Sequence, residues 1–377
     1  MNASLQATTH VVELNDIDQL MSYRDDWTRL LAETPDACFF QTLEWLAVYW
    51  RHFGRDQRLR TLVVYHDDRI VGILPLAIRT TPTRGGAMRT IGYPLDSWGT
   101  RYGPIGTNSR AILSAGLRHV LETDRDWNVL ELDGVSGDRV AGATSAFEEL
   151  GVWPQVFACD QISLVDLTRS WDEYWISLAG KHRNNVRRAE KKLATLGPVT
   201  MFHYRSQEGD APGPRWDLYD TCETIAGQSW QGSSATGTTL THERVRQFLR
   251  DVHEVATGMR AVAIHLLAID GEPVAFAYNY VFQGSEFGLR IGYDPKFKSG
   301  RPGTVLIHRM LQDVFIGDRR QFDFGEGDSR YKHDWRTAAL PSFRICHYAK
   351  TSLRAQALRW KRHWSGDRVK AIQGRFV

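Results

Sequence analysis

The chain has 377 residues, 24% of them charged and 42% apolar, with a formal net charge of only +3. That length exceeds one core of ordinary size and implies two domains, while the near-neutral balance argues against a dedicated nucleic-acid binder. No apolar run approaches eighteen residues and the first twenty contain no apolar h-region, so neither a membrane span nor a signal peptide is expected. Cys38, Cys159, Cys222 and Cys346 lie far apart without C-x-x-C spacing, which fits free thiols in a reducing cytoplasm.

In chain order, residues 62–76 read as strand, acidic turn and strand. A loop over 99–106, a helix over 109–123 and a short strand over 129–132 follow. Residues 151–170 separate this block from a helix that opens at Trp171. The next helix, over 181–192, carries six Lys/Arg against one Glu, and Leu178, Val186, Ala189 and Leu193 recur at helical spacing. One face of it packs and the other is basic.

Residues 261–269 are apolar and β-prone, Asp270-Gly271 is a two-residue hairpin signal, and 273–282 returns as a second strand. Gln283-Gly284-Ser285 turns again into a third strand over 286–293. A basic Gly-rich loop then leads into a helix over 303–316 and a strand over 321–324. The strand–turn–strand, helix, strand order of 62–132 parallels that of 266–324, so the chain is read as a weak tandem repeat. Its expected parts are a first domain over 1–160, a second over 161–350, and a basic tail over 351–377. The loop of the first copy has one basic residue, Arg101, and is expected to grip no anion.

The loop of the second copy carries the most chemistry. Glycines let a backbone approach a bulky anion, and helix-start N–H groups point outward with positive partial charge. Lys298 and Arg301 add full charges beside Gly300, Gly303 and Thr304, so the expected occupant is a pyrophosphate. The loop lacks G-x-x-x-x-G-K-[ST] and G-x-G-x-x-G, and hairpins rather than a βαβ unit precede it, which argues against P-loop and dinucleotide folds. His182, His333 and His347 lack metal spacing, and no serine sits in G-x-S-x-G, so neither a metal nor a serine hydrolase is expected.

The β-β-β-loop-helix-β order resembles the acyl-CoA site of the GNAT acetyltransferase superfamily. Five pieces, in order, resemble the CelD-like branch related to the FemABX peptidyl transferases. They are Phe39-Phe40-Gln41-Thr42-Leu43-Glu44-Trp45-Leu46, the basic helix after Trp175, Ser229-Trp230-Gln231-Gly232 with Gly237 and Thr238, the hairpin and anion loop, and the stretch from Asp323 to Trp335. Of the superfamily's [QR]-x-x-G-x-[GA] loop only Gly300-x-x-Gly303 remains.

The resemblance implies an α/β fold of two tandem GNAT-like domains, each a mixed, mostly antiparallel sheet flanked by helices. It also implies an acyltransferase that uses acyl-CoA, acetyl-CoA first, with an amino sugar or envelope polysaccharide precursor as amine acceptor. Lys298, Gly300, Arg301, Gly303 and Thr304 would hold the pyrophosphate, and the backbone of Leu289, Ile291 and Tyr293 would pair with pantetheine. Asp323, Glu326 and Asp328 form an acidic cluster in which Glu326, between glycines, is the expected base. Lys332 would hold a phosphate or an oxyanion, and Tyr331 or Tyr293 would protonate the leaving thiolate. Trp230, Gln231 and Tyr278 would line the acceptor pocket. The alternatives are a FemABX-type transferase using aminoacyl-tRNA, for which the basic helix is a docking face, and a non-catalytic glycan-binding scaffold. The basic tail, with Leu353, Leu358, Trp360 and Trp364, is either a helix docked on its domain or a peripheral membrane contact.

Overall fold

Hairpin turns set much of the strand order. Asp67 and Asp68, Asp270 and Gly271, and Gln283 and Gly284 each place two successive residues at positive φ, between 46° and 83°. Such pairs make the turns whose twist matches the strands on either side. The expected turns at 270–271 and 283–284 are therefore present. The computed structural model describes residues 9–83, 86–95, 98–99, 101–206, 213–234 and 239–364. Gly237 and Thr238 of the sequence reading lie outside them.

The chain forms two compact units. The described residues of the first are 9–160 and 341–364; those of the second are 161–340. The first contains β1 (Thr9–Leu14), α1 (Ile17–Met21), α2 (Arg24–Glu33), α3 (Leu43–Phe53), β2 (Gln57–Leu59), β3 (Thr61–His66), β4 (Arg69–Leu74), β5 (Ala77–Thr83), β6 (Gly86–Gly92), α4 (Ser109–Glu122), β7 (Val129–Ser136), α5 (Gly137–Glu148) and the start of β8 (Gln155–Asp166). The second continues with α6 (Trp171–Ser177), α7 (Gly180–Ala194), β9 (Val199–Arg205), α8 (Trp216–Gln228), α9 (Glu243–Gly258), β10 (Val262–Ile269), β11 (Glu272–Phe282), β12 (Ser285–Tyr293), α10 (Pro302–Ile316), β13 (Gln321–Glu326), α11 (Arg330–Trp335) and the first residues of β14 (Ala338–Tyr348). From Pro341 the chain is back in the first unit, where β14 pairs with β7 and α12 (Leu353–Trp364) follows.

Each unit holds a mixed, mostly antiparallel sheet with one parallel pair. In the first, β5 and β6 are antiparallel and β6 runs parallel to β7 across the crossover helix α4. The hairpin feeding that crossover is β5–β6, a pair absent from the sequence reading. Residues 79–90 are Thr- and Arg-rich, and most of β5 is exposed, so no apolar alternation marks it. Arg101, in the loop after β6, is buried instead of being turned to solvent.

In the second unit β9, β10, β11 and β12 form an antiparallel run, β12 is parallel to β13, and β13 pairs antiparallel with the end of β8. Alternation along β11 sends Ala275 and Ala277 to a core shared with Val186 and Leu193 of α7 and Val305, Leu306 and Met310 of α10. Phe276 and Tyr278 take the opposite face, where Tyr278 meets Tyr219 of α8 and His253 of α9.

His253 is fully buried, stacked on Tyr219 at 4.6 Å, with Nδ1 2.9 Å from the Tyr278 hydroxyl. Desolvation pushes its pKa down to about 4. The unfolded chain therefore binds a proton near pH 6.5 that the folded chain refuses, and stability is lost as pH falls from there toward 4. We expect about 3 kcal/mol from this group, read as urea midpoints against pH, and a flatter profile in His253→Gln.

Candidate active site

The site begins where two strands part. β12 and β13 pair only through Ser285–Gln321, Glu286–Phe322 and Phe287–Asp323. A bulge then puts Leu289 as an extra residue in β12, opposite Tyr278 and Asn279. Bulges bend the strand that carries them, and beyond this one β12 has no pairing with β13. At the closed end, a Cβ on Gly288 would come within 3.4 Å of the Asp323 carbonyl. Glu286 is pinned there by buried Arg319 (2.7 Å) and by Asn279 (2.7 Å).

The phase of β12 follows from one bond. The Asp294 N–H donates to the Val274 carbonyl at 2.8 Å, so residues 292 and 294 turn their main chain to β11. Ile291 and Tyr293 therefore turn theirs into the opening, where their N–H groups have no ladder partner among the described residues. The Ile291 carbonyl accepts from Gln231 Nε2 at 3.1 Å, and the Leu289 carbonyl from Arg290 Nη1 at 2.5 Å. Gln231 is 1% exposed, and its Oε1 has no hydrogen-bond partner among the described residues.

After Tyr293, a short 3-10 turn over Pro295–Gly300 leads to the start of α10. Arg301 takes the left-handed conformation (φ 56°) just before Pro302, whose ring removes one of the unpaired N–H groups of the first turn. Lys298 and Arg301 are exposed, and Gly303 and Thr304 are partly so. A Cβ on Gly303 would sit 3.3 Å from the Tyr293 ring. Gly300 has a different job from the one its sequence context suggested. It is buried, and a Cβ there would meet Leu193 of α7 at 2.6 Å, so it seats the loop on a helix.

Glu326 stands at the end of β13, between Gly325 and Gly327, both at positive φ. Buried Lys332 donates Nζ to the carbonyls of Gly325 (3.1 Å) and Glu326. Its ammonium thus clamps the turn that presents Glu326. Buried Asp323 accepts the Gly325 N–H at 2.6 Å, and Asp328 is exposed and paired with His333. Tyr331 packs edge-on against Phe324 and is 37% exposed.

The three residues expected at the acceptor pocket separate. Trp230 is 57% exposed, Gln231 reaches β12, and Tyr278 lies in the buried aromatic cluster opposite Arg290. Burial beside Tyr280 and Tyr219 draws the Arg290 guanidinium down to about 10, still a cation at neutral pH. Glu286, Arg290 and Arg319 were missed in sequence; for the first two the signal was charge inside the otherwise apolar β12, while Arg319 lies in the loop before β13.

One further grouping had no spacing to betray it. His203 and His265 face each other on β9 and β10, and Asp313 of α10 lies 2.7 and 3.4 Å from them. Burial alone would raise the Asp313 pKa, but hydrogen bonds from both imidazoles hold it well below the carboxylate range. The rings stack 4.5 Å apart within 4° of parallel, and both turn a nitrogen toward the same Asp313 oxygen.

Residues 180–333 match the acetyltransferase (GNAT) domain family. FemX is similar over 93% of this chain and 99% of its own, at 12% identity and a TM-score of 0.61. L-PGS from Bacillus licheniformis is similar over 93% and 97%, at 14% identity and 0.54. A conserved protein of unknown function from Bacteroides thetaiotaomicron covers 89% and 99%, at 13% and 0.55. No curated protein matches the chain in sequence. Residues 180–333 of the second unit thus match a GNAT acetyltransferase domain, and the chain shares the fold of FemX.

Proposed function

We propose that the second unit transfers an acyl group from acyl-CoA, acetyl-CoA first, to a primary amine. The observation that carries this reading is the opening beyond Phe287, with the Ile291 and Tyr293 N–H groups turned along one wall without a ladder partner among the described residues and the start of α10 at its mouth. Such an edge suits an extended chain bearing amides, as in pantetheine, by the same pairing that adds a strand to a sheet. The α10 start, with Gly303, Thr304, Lys298 and Arg301, suits the pyrophosphate that follows it.

Glu326 accepts a proton from the acceptor ammonium, directly or through water, and the freed amine attacks the thioester carbonyl. A C–N bond forms and the C–S bond breaks. The thiolate leaves as CoA after taking a proton from Tyr331 or Tyr293, and no covalent enzyme intermediate is required. Lys332 serves this chemistry by fixing the Glu326 turn, since its ammonium already serves two carbonyls. Gln231 Oε1, an acceptor without a partner among the described residues, would accept from the amine or from a pantetheine N–H. Asp328 and Trp230, both exposed, would stand at its rim. By resemblance, the acceptor is an amino sugar or another precursor of envelope polysaccharide. The reaction is assigned to the cytoplasmic side, with peripheral membrane contact through the basic C-terminal helix.

A second reading, aminoacyl transfer from tRNA, is favoured by one observation. Lys181, Arg187, Arg188, Lys191 and Lys192 of α7 are exposed, and this helix carries the Leu193 on which the loop at Gly300 rests. Thiol release separates the two. With acetyl-CoA and a panel of amino sugars, free CoA should appear in step with amide and only when an amine is present. Consumption of aminoacyl-tRNA, with no thiol released from any acyl-CoA, would instead support the second reading.

A further inference from the structure

α12 has two apolar faces, and only one of them is used. Its inner face buries Ala355 and packs Leu358 into a cluster with Met88, Val129, Cys346 and Tyr348. Arg362 locks that face down, donating to Glu131 at 2.8 Å and to the Tyr348 hydroxyl at 3.0 Å. The outer face carries Leu353, Ala357, Trp360 and Trp364, at i, i+4, i+7 and i+11, which one helix turns into a single stripe. Leu353 is 88% exposed, Trp360 62% and Trp364 76%. A soluble helix already docked by one face has no reason of stability to line the other with two indoles.

The charges beside the stripe say what would cover it. Arg354 and Lys361 flank it on one side, Arg359 and His363 on the other, and no Asp or Glu occurs between Lys350 and Trp364. Cations along both edges of an apolar stripe match a surface that is anionic outside and apolar a few ångströms below. Indoles favour that boundary, because the ring is apolar and its N–H still needs a polar partner. Leu353 and Ala357 offer no stacking platform for nucleic-acid bases, and a second copy of the helix would set its cations against like charges.

We infer that α12 lies in the plane of an anionic phospholipid surface, outer face down, with Trp360 and Trp364 at headgroup depth. This deepens the membrane contact named above and does not depend on the donor or the acceptor. It would hold the enzyme at the bilayer by reversible, charge-assisted adsorption, and salt would weaken it.

The test is flotation of the full chain with vesicles of pure phosphatidylcholine and of phosphatidylcholine containing phosphatidylglycerol, at low and high salt. Partition onto the anionic vesicles should exceed that onto the neutral ones by roughly tenfold or more and collapse in high salt. The W360S/W364S double variant, whose altered side chains point to solvent, should keep the wild-type circular dichroism and lose about as much. Lys361→Glu with Arg359→Glu should lose the preference for anionic vesicles. Three outcomes overturn the inference: no partition onto either vesicle, partition unchanged in W360S/W364S, or binding that appears only with an RNA oligonucleotide. Because flotation needs no turnover, its result stands or falls apart from that of the thiol-release assay.

Discussion

Glu326→Gln is expected to lower kcat by about 10²–10⁴-fold, the usual range for loss of a positioned general base, with acyl-CoA affinity unchanged. The amide is nearly the size of the carboxylate and keeps the main chain that Lys332 clamps, so the turn survives while the proton acceptor is lost. The rate against pH separates this role from a structural one. Wild type should rise with pH as an ionised base becomes available, and Glu326→Gln should lose that limb. Lys332→Met should act on the same step indirectly, by releasing the Gly325–Glu326 carbonyls, and should lower stability as well as rate. A Glu326→Gln variant with wild-type kcat would remove the carboxylate from the chemistry.

The second large effect is on stability. Glu286→Ala should destabilise the second unit by about 3–5 kcal/mol, because it strands the Arg319 cation in a fully buried site. It also leaves Asn279 without its carboxylate acceptor. The pair sits where β12 and β13 are still joined, so its loss should loosen the closed end of the opening. Hydrogen exchange would report this as faster exchange at Phe287 and Phe322 than at β10. The Glu286→Gln/Arg319→Met double variant should recover most of the loss, since no unpaired charge remains. Equal stability of wild type and Glu286→Ala, read by urea unfolding, would contradict the assignment.

How far the sequence reached depends on the kind of signal. The hairpins β10–β11 and β11–β12 were legible because Asp270-Gly271 and Gln283-Gly284 are turn chemistry, a local property. α7 and α10 were legible because their apolar residues repeat at helical spacing. β5–β6 was not, because a solvent-facing hairpin rich in Thr and Arg has no such alternation. Nor was the use of β14 by the first unit, which depends on pairing over two hundred residues of separation. At the site, sequence located the loop, the helix start and the Glu326 turn. It misjudged Gly300, because a glycine that avoids a neighbouring Leu193 and one that admits a ligand look alike in sequence. It also gave Lys332 a phosphate or an oxyanion, when carbonyls six and seven residues upstream take its ammonium. The bulge at Leu289, which opens the strands, is a register property that no residue type announces.

Titration calorimetry with acetyl-CoA and free CoA, on wild type and Gly303→Trp, tests the central claim most directly. A side chain at position 303 must displace the Tyr293 ring and crowd the start of α10, with the rest of the sheet untouched. Wild type should bind both ligands with micromolar affinity, and the folded variant should bind neither. Failure of wild type to bind any CoA, or equal binding by Gly303→Trp, would contradict it.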